Sequence, residues 1–104
     1  MTYTHELYKI DEIVNIVAPI AREYGAKKVT LFGSYASGNA KSDSDIDLHI
    51  NKGEIKGLFR FASFQRELED KFTVPVDVLI TGSLSDEFLD RIKDEEVVIY
   101  EGCP

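Results

Sequence analysis

The sequence predicts a mixed α/β (α+β) fold, with one β-sheet of about four strands flanked by helices. Along the chain, apolar residues alternate between helical spacing and short β-branched runs, in the order α-β-β-α-β-α-β. A chain of 104 residues can bury about two-thirds of the surface that it exposes when unfolded. That is enough for one hydrophobic core, so we expect a single domain over residues 1–104.

The first half of the chain predicts a helix, a strand and a loop. Apolar residues form one helical stripe over Leu7–Tyr24. Pro19 interrupts this stripe and predicts a kink or two abutting helices, and Gly25 is a stop signal. Lys28–Phe32 (KVTLF) is β-branched and apolar, which predicts a buried strand. The small polar residues 33–44 predict a turn followed by a loop.

The segment Asp45–Asn51 (DIDLHIN) alternates strictly between polar and apolar residues, which predicts a strand with two unlike faces. Ile46, Leu48 and Ile50 share the apolar face. The polar face carries two aspartates, Asp45 and Asp47.

The second half of the chain predicts two helices and two strands. The longer helix follows from apolar spacing, and the shorter one has a serine cap at Ser83 or Ser85 with acidic residues early in the helix. In chain order these elements are a helix over Ile55–Phe72, a strand over Val76–Ile80, a helix over Ser85–Glu95 and an edge strand over Val97–Tyr100.

Charge and composition narrow the classes of partner. The chain has 12 Lys and Arg against 19 Asp and Glu, a net charge of −7, so we expect no bulk binding of nucleic acid. A phosphate ligand held locally by backbone amides and metal ions is not excluded. We expect no membrane span and a cytoplasmic location, since the chain lacks an apolar stretch of about 20 residues and a signal-peptide pattern. Cys103 is the one cysteine, so no internal disulfide is expected.

Three aspartates are the candidate metal ligands. Asp45 and Asp47 are two residues apart on a predicted strand and point the same way. Two aspartates in this pattern, with no other signal, usually lie on a solvated strand face. Asp77, however, interrupts an otherwise apolar strand, and it can face the same pocket if its strand lies beside Asp45–Asn51. The alternative for Asp77 is an edge or salt-bridged position. Three carboxylates on two neighbouring strands can bind a pair of metal ions.

Gly33 and Ser34 are the candidate phosphate-binding residues. They directly follow the KVTLF strand, where a glycine lets backbone amides approach a ligand closely. If Ser34 opens a short helical turn, its hydroxyl and the free amides form a phosphate cradle. A lone Gly-Ser pair is usually a plain turn, so its position matters: ten residues, 35–44, separate Ser34 from Asp45.

This order of a strand, Gly-Ser, ten residues and D-x-D resembles the nucleotidyltransferase superfamily typified by DNA polymerase beta. The string LFGSYASGNAKSDSDIDL is most similar to the minimal nucleotidyltransferases (MNT), which are antitoxin partners of HEPN-domain toxins. The resemblance spans nearly the whole chain and implies a nucleotidyltransferase-like fold. It also implies that Gly33 and Ser34 bind a nucleoside triphosphate, and that Asp45, Asp47 and Asp77 are catalytic and hold Mg²⁺, with two ions expected.

The activity that the resemblance implies is transfer of AMP from ATP to a tyrosine hydroxyl of a HEPN toxin. One position departs from the family pattern: Ser37 stands where the family commonly has arginine, which removes a fixed positive charge near phosphate. Lys41 is the alternative source of charge, unless it is simply solvated. Two other functions stay open, a non-catalytic antitoxin and an enzyme for a small hydroxylated substrate. For the oligomeric state, a homo-oligomer and a hetero-oligomer are the two alternatives.

The remaining candidates are weaker. His49 shares the polar face of Asp45 and Asp47 and is more consistent with a structural role than with metal binding or proton transfer. Phe59 and Phe61 cannot both join the apolar helix face, so we expect some apolar surface for a partner. The later acidic residues are expected on solvated helix faces: Glu67, Glu69, Asp70, Asp86, Glu87, Asp90, Asp94, Glu95 and Glu96.

Overall fold

The computed structural model describes residues 7–102, so Cys103 and the expectation attached to it lie outside the described residues. The predicted order of helices and strands is found, with one short helix added between the first two strands, which confirms the mixed α+β class. In chain order they are α1 (Ile10–Tyr24), β1 (Lys28–Phe32), α2 (Ser34–Ser37), β2 (Ile46–Asn51), α3 (Leu58–Lys71), β3 (Val76–Ile80), α4 (Asp86–Ile92) and β4 (Val97–Glu101), with 3₁₀ turns at Thr81–Ser83 and Lys93–Glu95.

The four strands form one mixed sheet in the order β3-β2-β1-β4. β1 is antiparallel to both β2 and β4, whereas β2 and β3 are parallel. Because parallel strands need a crossover connection, α3 carries the chain from the end of β2 back to the start of β3. The predicted edge position of β4 is confirmed.

One face of the sheet is the main core. Ile46, Leu48 and Ile50 of β2 have no exposed surface, which confirms the alternation that the sequence predicts. Helices α1 and α3 cover this face, and Phe64 and Leu68 of α3 are fully buried. Burying one such side chain stabilises a fold by about 1.5–3 kcal/mol, so the sheet face and the two helices hold each other in place.

The first helix departs from its predicted limits at one end. α1 begins at Ile10 rather than Leu7 and ends at Gly25, which has a φ of 83°. Pro19 lies inside this helix, so the prediction of two abutting helices is wrong. Proline removes one backbone hydrogen bond. Because Pro19 and Asn15 both face solvent, water can satisfy the carbonyl group that loses its partner.

Three other predicted limits are corrected, and the cap of α4 is decided between its two predicted candidates. β2 begins at Ile46, so Asp45 precedes the strand. α3 begins at Leu58 rather than Ile55, because Gly57 has a φ of 83° and breaks the helical path. Ser85, not Ser83, caps α4, since the Phe88 amide donates to its hydroxyl at 3.1 Å. α4 ends at Ile92 and tightens into a 3₁₀ turn before reaching Glu95.

Within residues 7–102, none of the helices combines the length and hydropathy that crossing a lipid bilayer requires.

Two phenylalanines of α3 offer a direct test of this packing. Phe64 is fully buried, whereas Phe59 is 89% exposed, in line with the apolar surface that the sequence predicts. We expect Phe64→Ala to lower the free energy of unfolding by about 3–5 kcal/mol, since it leaves a cavity. Phe59→Ala should change it by less than about 0.5 kcal/mol. Urea denaturation measures both, and similar losses from the two variants would contradict this packing.

Candidate active site

Gly33 lies at the junction of β1 and α2 in a conformation that other residues avoid. Its φ of 77° and ψ of −153° belong to a region that is essentially restricted to glycine. A Cβ atom at this position would also overlap the carboxylate of Asp47. Glycine is therefore required twice, for its backbone angles and for the close approach of the Asp47 side chain.

The residues after Gly33 form a short helical turn, which is the condition that the sequence set for a phosphate cradle. α2 spans Ser34–Ser37, and the Ser37 amide donates to the Gly33 carbonyl at 3.0 Å. Gly38, with a φ of 85°, ends the turn. The first amides of a helix have no intrahelical acceptor, so Ser34 stands where such groups are available to a ligand.

Parallel pairing of β2 and β3 brings two of the predicted aspartates together. Asp47 and Asp77 are partners in the strand register, so their side chains lie next to each other on the same face. Asp47 is also the register partner of Phe32, the residue before Gly33. Asp45 lies one residue before β2 and is exposed. The condition set by the sequence, that the strand of Asp77 lies beside that of Asp47, is thus met.

The electrostatics of the three carboxylates are unfavourable in the protein alone. Burial raises the pKa of Asp47 above its ordinary value, and the negative charges of Asp77 and then Asp45 raise it further. Across residues 7–102, the one contact at salt-bridge distance is between His49 and Glu96, so no Lys or Arg lies that close to these aspartates there. The site therefore favours a cation from outside the chain.

Magnesium fits this donor set only together with further ligands. In the part of the chain that the structure describes, no three His, Cys, Asp or Glu side chains form a group that could hold a metal ion by themselves. Mg²⁺ in proteins is usually bound by one or two carboxylates together with water and substrate phosphates. Asp47 and its two acidic neighbours match that pattern, in which the nucleotide completes the coordination.

Ser37 does not replace the positive charge of the family arginine. Its hydroxyl donates to the Ser34 carbonyl at 3.2 Å and accepts from the Asn39 side-chain amide at 3.2 Å. These bonds stabilise the end of α2. Lys41 is exposed in the following loop, where its backbone amide donates to the Ser44 hydroxyl at 2.8 Å.

His49 is a buried structural residue, as the sequence favours. Its Nδ1 lies 2.7 Å from the Thr81 hydroxyl, and its Nε2 lies 3.0 Å from a carboxylate oxygen of Glu96. The expectation that Glu96 lies on a solvated helix face is wrong, because it follows the 3₁₀ turn and is drawn inward by His49. Nothing in the sequence spacing indicated this pair, since 46 residues separate its members.

The sequence and the site together define an enzyme class, the nucleotidyltransferases. The profile of the family described as "Polymerase beta, Nucleotidyltransferase" matches residues 14–102. The chain belongs to this family. The match includes the β1–α2 junction and all three aspartates.

Two curated relatives are similar to this chain over most of its length. A candidate protein adenylyltransferase of Methanocaldococcus jannaschii is 39% identical over 88 residues, which cover 85% of this chain and 95% of that protein. The protein adenylyltransferase MntA of Thermococcus cleftensis is 30% identical over 94 residues, covering 86% of this chain and 95% of that protein.

Solved structures share the fold. A candidate minimal nucleotidyltransferase superposes with a TM-score of 0.73 at 27% identity, covering 86% of this chain and 95% of that one. A toxin–antitoxin structure with AMP-PNP gives 0.71 at 19% identity, with coverages of 86% and 73%. A complex of the tri-AMPylated Shewanella oneidensis HEPN toxin with its MNT antitoxin gives 0.66 at 16% identity, with coverages of 89% and 73%.

The raised pKa of Asp47 predicts a dependence of stability on pH. In the folded chain Asp47 binds its proton more tightly than in the unfolded chain, where carboxyl pKa values are about 4. Its contribution to stability therefore falls as pH rises from about 4 through the raised pKa. We expect Asp47→Asn, in buffer with a chelator, to raise the Tm by about 2–5 °C at pH 7. This gain should disappear near pH 4, and a variant less stable at pH 7 would contradict the proposed repulsion.

Gly33 gives a second test of the site geometry. Gly33→Ala introduces both backbone strain and overlap with Asp47, so we expect the free energy of unfolding to fall by about 1–3 kcal/mol. Gly82→Ala is the matched control, because a Cβ atom there meets nothing within 4 Å. Thermal denaturation of the two variants compares them directly. Equal stability of both variants would mean that Gly33 is not constrained as described.

Proposed function

We propose that this chain transfers AMP from ATP to a tyrosine hydroxyl of a HEPN-type toxin and so acts as its antitoxin. The observation that carries this proposal is the register pairing of Asp47 with Asp77 beside the Gly33–Ser34 turn. Nucleotidyl transfer requires a phosphate-binding element next to clustered carboxylates. The relatives named as protein adenylyltransferases support the same chemistry.

In this proposal Gly33 and Ser34 bind the triphosphate. Gly33 has no side chain to keep phosphate away from the backbone, and the positive end of a short helical turn follows it. Ser34 contributes its hydroxyl and the neighbouring amides as hydrogen-bond donors. The structure with AMP-PNP, similar in fold, is consistent with a nucleotide as the ligand.

Asp45, Asp47 and Asp77 would hold two Mg²⁺ ions together with the triphosphate. When bound, the metal neutralises charge on the attacking and leaving oxygens of the displacement. Asp47 is central to this arrangement, because it is the aspartate that the other two repel. Asp45 and Asp77 are both exposed and accessible to substrate.

The chemical step is a displacement at the α-phosphorus. The acceptor oxygen forms a bond to this phosphorus while the bond to the bridging oxygen of the β-phosphate breaks, and pyrophosphate leaves. The product is an AMP diester of the acceptor. Asp77 would accept the hydroxyl proton, since its carboxylate is next to Asp47 and open to an incoming group.

The acceptor that we propose is a protein. Asp77 lies on β3, an edge strand of the sheet in the described part of the chain, so a large acceptor can approach it. The S. oneidensis structure, similar in fold, pairs an MNT antitoxin with an AMPylated HEPN toxin. We therefore propose a hetero-oligomer with a HEPN partner in the cytoplasm, where ATP and Mg²⁺ are available.

One observation favours a second candidate, an antitoxin that neutralises its toxin by binding alone. Ser37 supplies no charge toward phosphate, and both of its hydrogen bonds are internal to the α2 turn. A weakened nucleotide site would leave the protein contact as the remaining activity. The intact group of three aspartates favours the enzyme.

The test is transfer of label from α-labelled ATP to the HEPN-type product of the neighbouring gene in the presence of Mg²⁺. We expect Asp47→Asn to reduce transfer at least about 100-fold, because it removes a metal-binding charge. Asp70→Asn on α3, an exposed carboxylate, is the matched control and should transfer like the unsubstituted chain.

The same variants separate the two candidates in cells. If the chain acts as an enzyme, Asp47→Asn no longer protects cells from the toxin. Full protection by this variant, without label on the toxin, would instead establish neutralisation by binding and reject the catalytic role.

A further inference from the structure

The second face of the sheet carries a buried group that the proposed chemistry does not use. His49 is 6% exposed and lies two residues after Asp47 on the same face of β2. Its ring packs against Phe32 with the centroids 5.6 Å apart. A buried imidazole with partners at both nitrogens has a fixed orientation.

The two hydrogen bonds of His49 reach opposite ends of one chain segment. Residues 81–96 connect β3 to β4. Thr81 is the first residue of this segment and Glu96 is the last. Ionised Glu96 can only accept, so Nε2–H donates to it, and Nδ1 shares a hydrogen bond with the Thr81 hydroxyl. A single side chain on β2 thus holds both ends of segment 81–96.

Within the described residues, the helix of this segment is short and only partly buried. α4 contains seven residues and none of them is buried, unlike α3 with Phe64 and Leu68. An isolated helix of this length is not stable in water. The ring contact that attaches α4 to the sheet is the edge-on packing of Phe88 against Phe32, with centroids 5.8 Å apart.

We propose that His49 is a positioning residue: by holding Thr81 and Glu96 it keeps Phe88 of α4 against Phe32. Phe32 leads directly into Gly33 and is the register partner of Asp47. The position of α4 therefore bears on Phe32, which directly precedes the phosphate-binding turn and pairs with Asp47. The effect on nucleotide binding rests on the proposed function, whereas the anchoring of segment 81–96 does not.

The experiment compares Glu96→Ala with two matched variants. Glu96→Gln keeps an oxygen that can accept from Nε2–H, and Glu95→Ala removes an exposed carboxylate one residue away. Amide hydrogen exchange is followed in α4 and in α3. We expect Glu96→Ala to speed exchange in α4 at least tenfold with α3 unchanged, and Glu96→Gln and Glu95→Ala to match the unsubstituted chain. Thr81→Val, which removes the bond at the other end, should reproduce the effect.

Calorimetry of ATP with Mg²⁺ measures the consequence for the site. We expect the Kd for ATP to rise at least threefold in Glu96→Ala and to recover in Glu96→Gln. Faster exchange in both helices would mean general destabilisation and would overturn the positioning role, as would an ATP affinity equal to that of Glu95→Ala. If the unsubstituted chain binds no ATP, the proposed function fails, and the exchange pattern still decides whether His49 holds the segment.

Discussion

The parallel pairing of β2 with β3 is the constraint on which the candidate site depends. It places Asp47 opposite Asp77 and, in the same register, Leu48 opposite Val78 on the core face. A slip of one residue would send Asp77 to the core and Val78 to the solvent. The apolar face therefore enforces the position of the acidic one, and α3, whose buried residues cover that core, makes the parallel connection.

The site is built at a cost in stability that the rest of the fold offsets. Burial and two neighbouring negative charges disfavour ionised Asp47, and Gly33 adopts a backbone conformation that few residues tolerate. Both features lie on or beside the second face of the sheet, where α4 has no buried residue. The opposite face carries the fully buried residues of β2 and α3, and strain of this kind is typical of functional sites supported by a well-packed core.

Local patterns predicted the elements well and their limits less well. The alternation around Leu48 identified a strand and its buried face, because side chains in a strand alternate between the two faces whatever the strand packs against. The apolar spacing places the start of α3 three residues too early, because Ile55 fits the helical stripe. The backbone conformation of Gly57 shows that the helix begins after it. Pro19 is accommodated within α1 because that position faces solvent, which spacing alone did not reveal.

By itself the sequence determined the chemistry available to this protein: the Gly33–Ser34 turn after a strand, a pair of aspartates after ten intervening residues, and a third aspartate in an apolar strand. Those features depend on residue type and local spacing, so they are readable without a structure. The tertiary structure decided which strands are neighbours, and hence that Asp77 faces Asp47. It also decided that His49 and Glu96 pair across 46 intervening residues, because contacts between distant segments arise only when the whole sheet has formed.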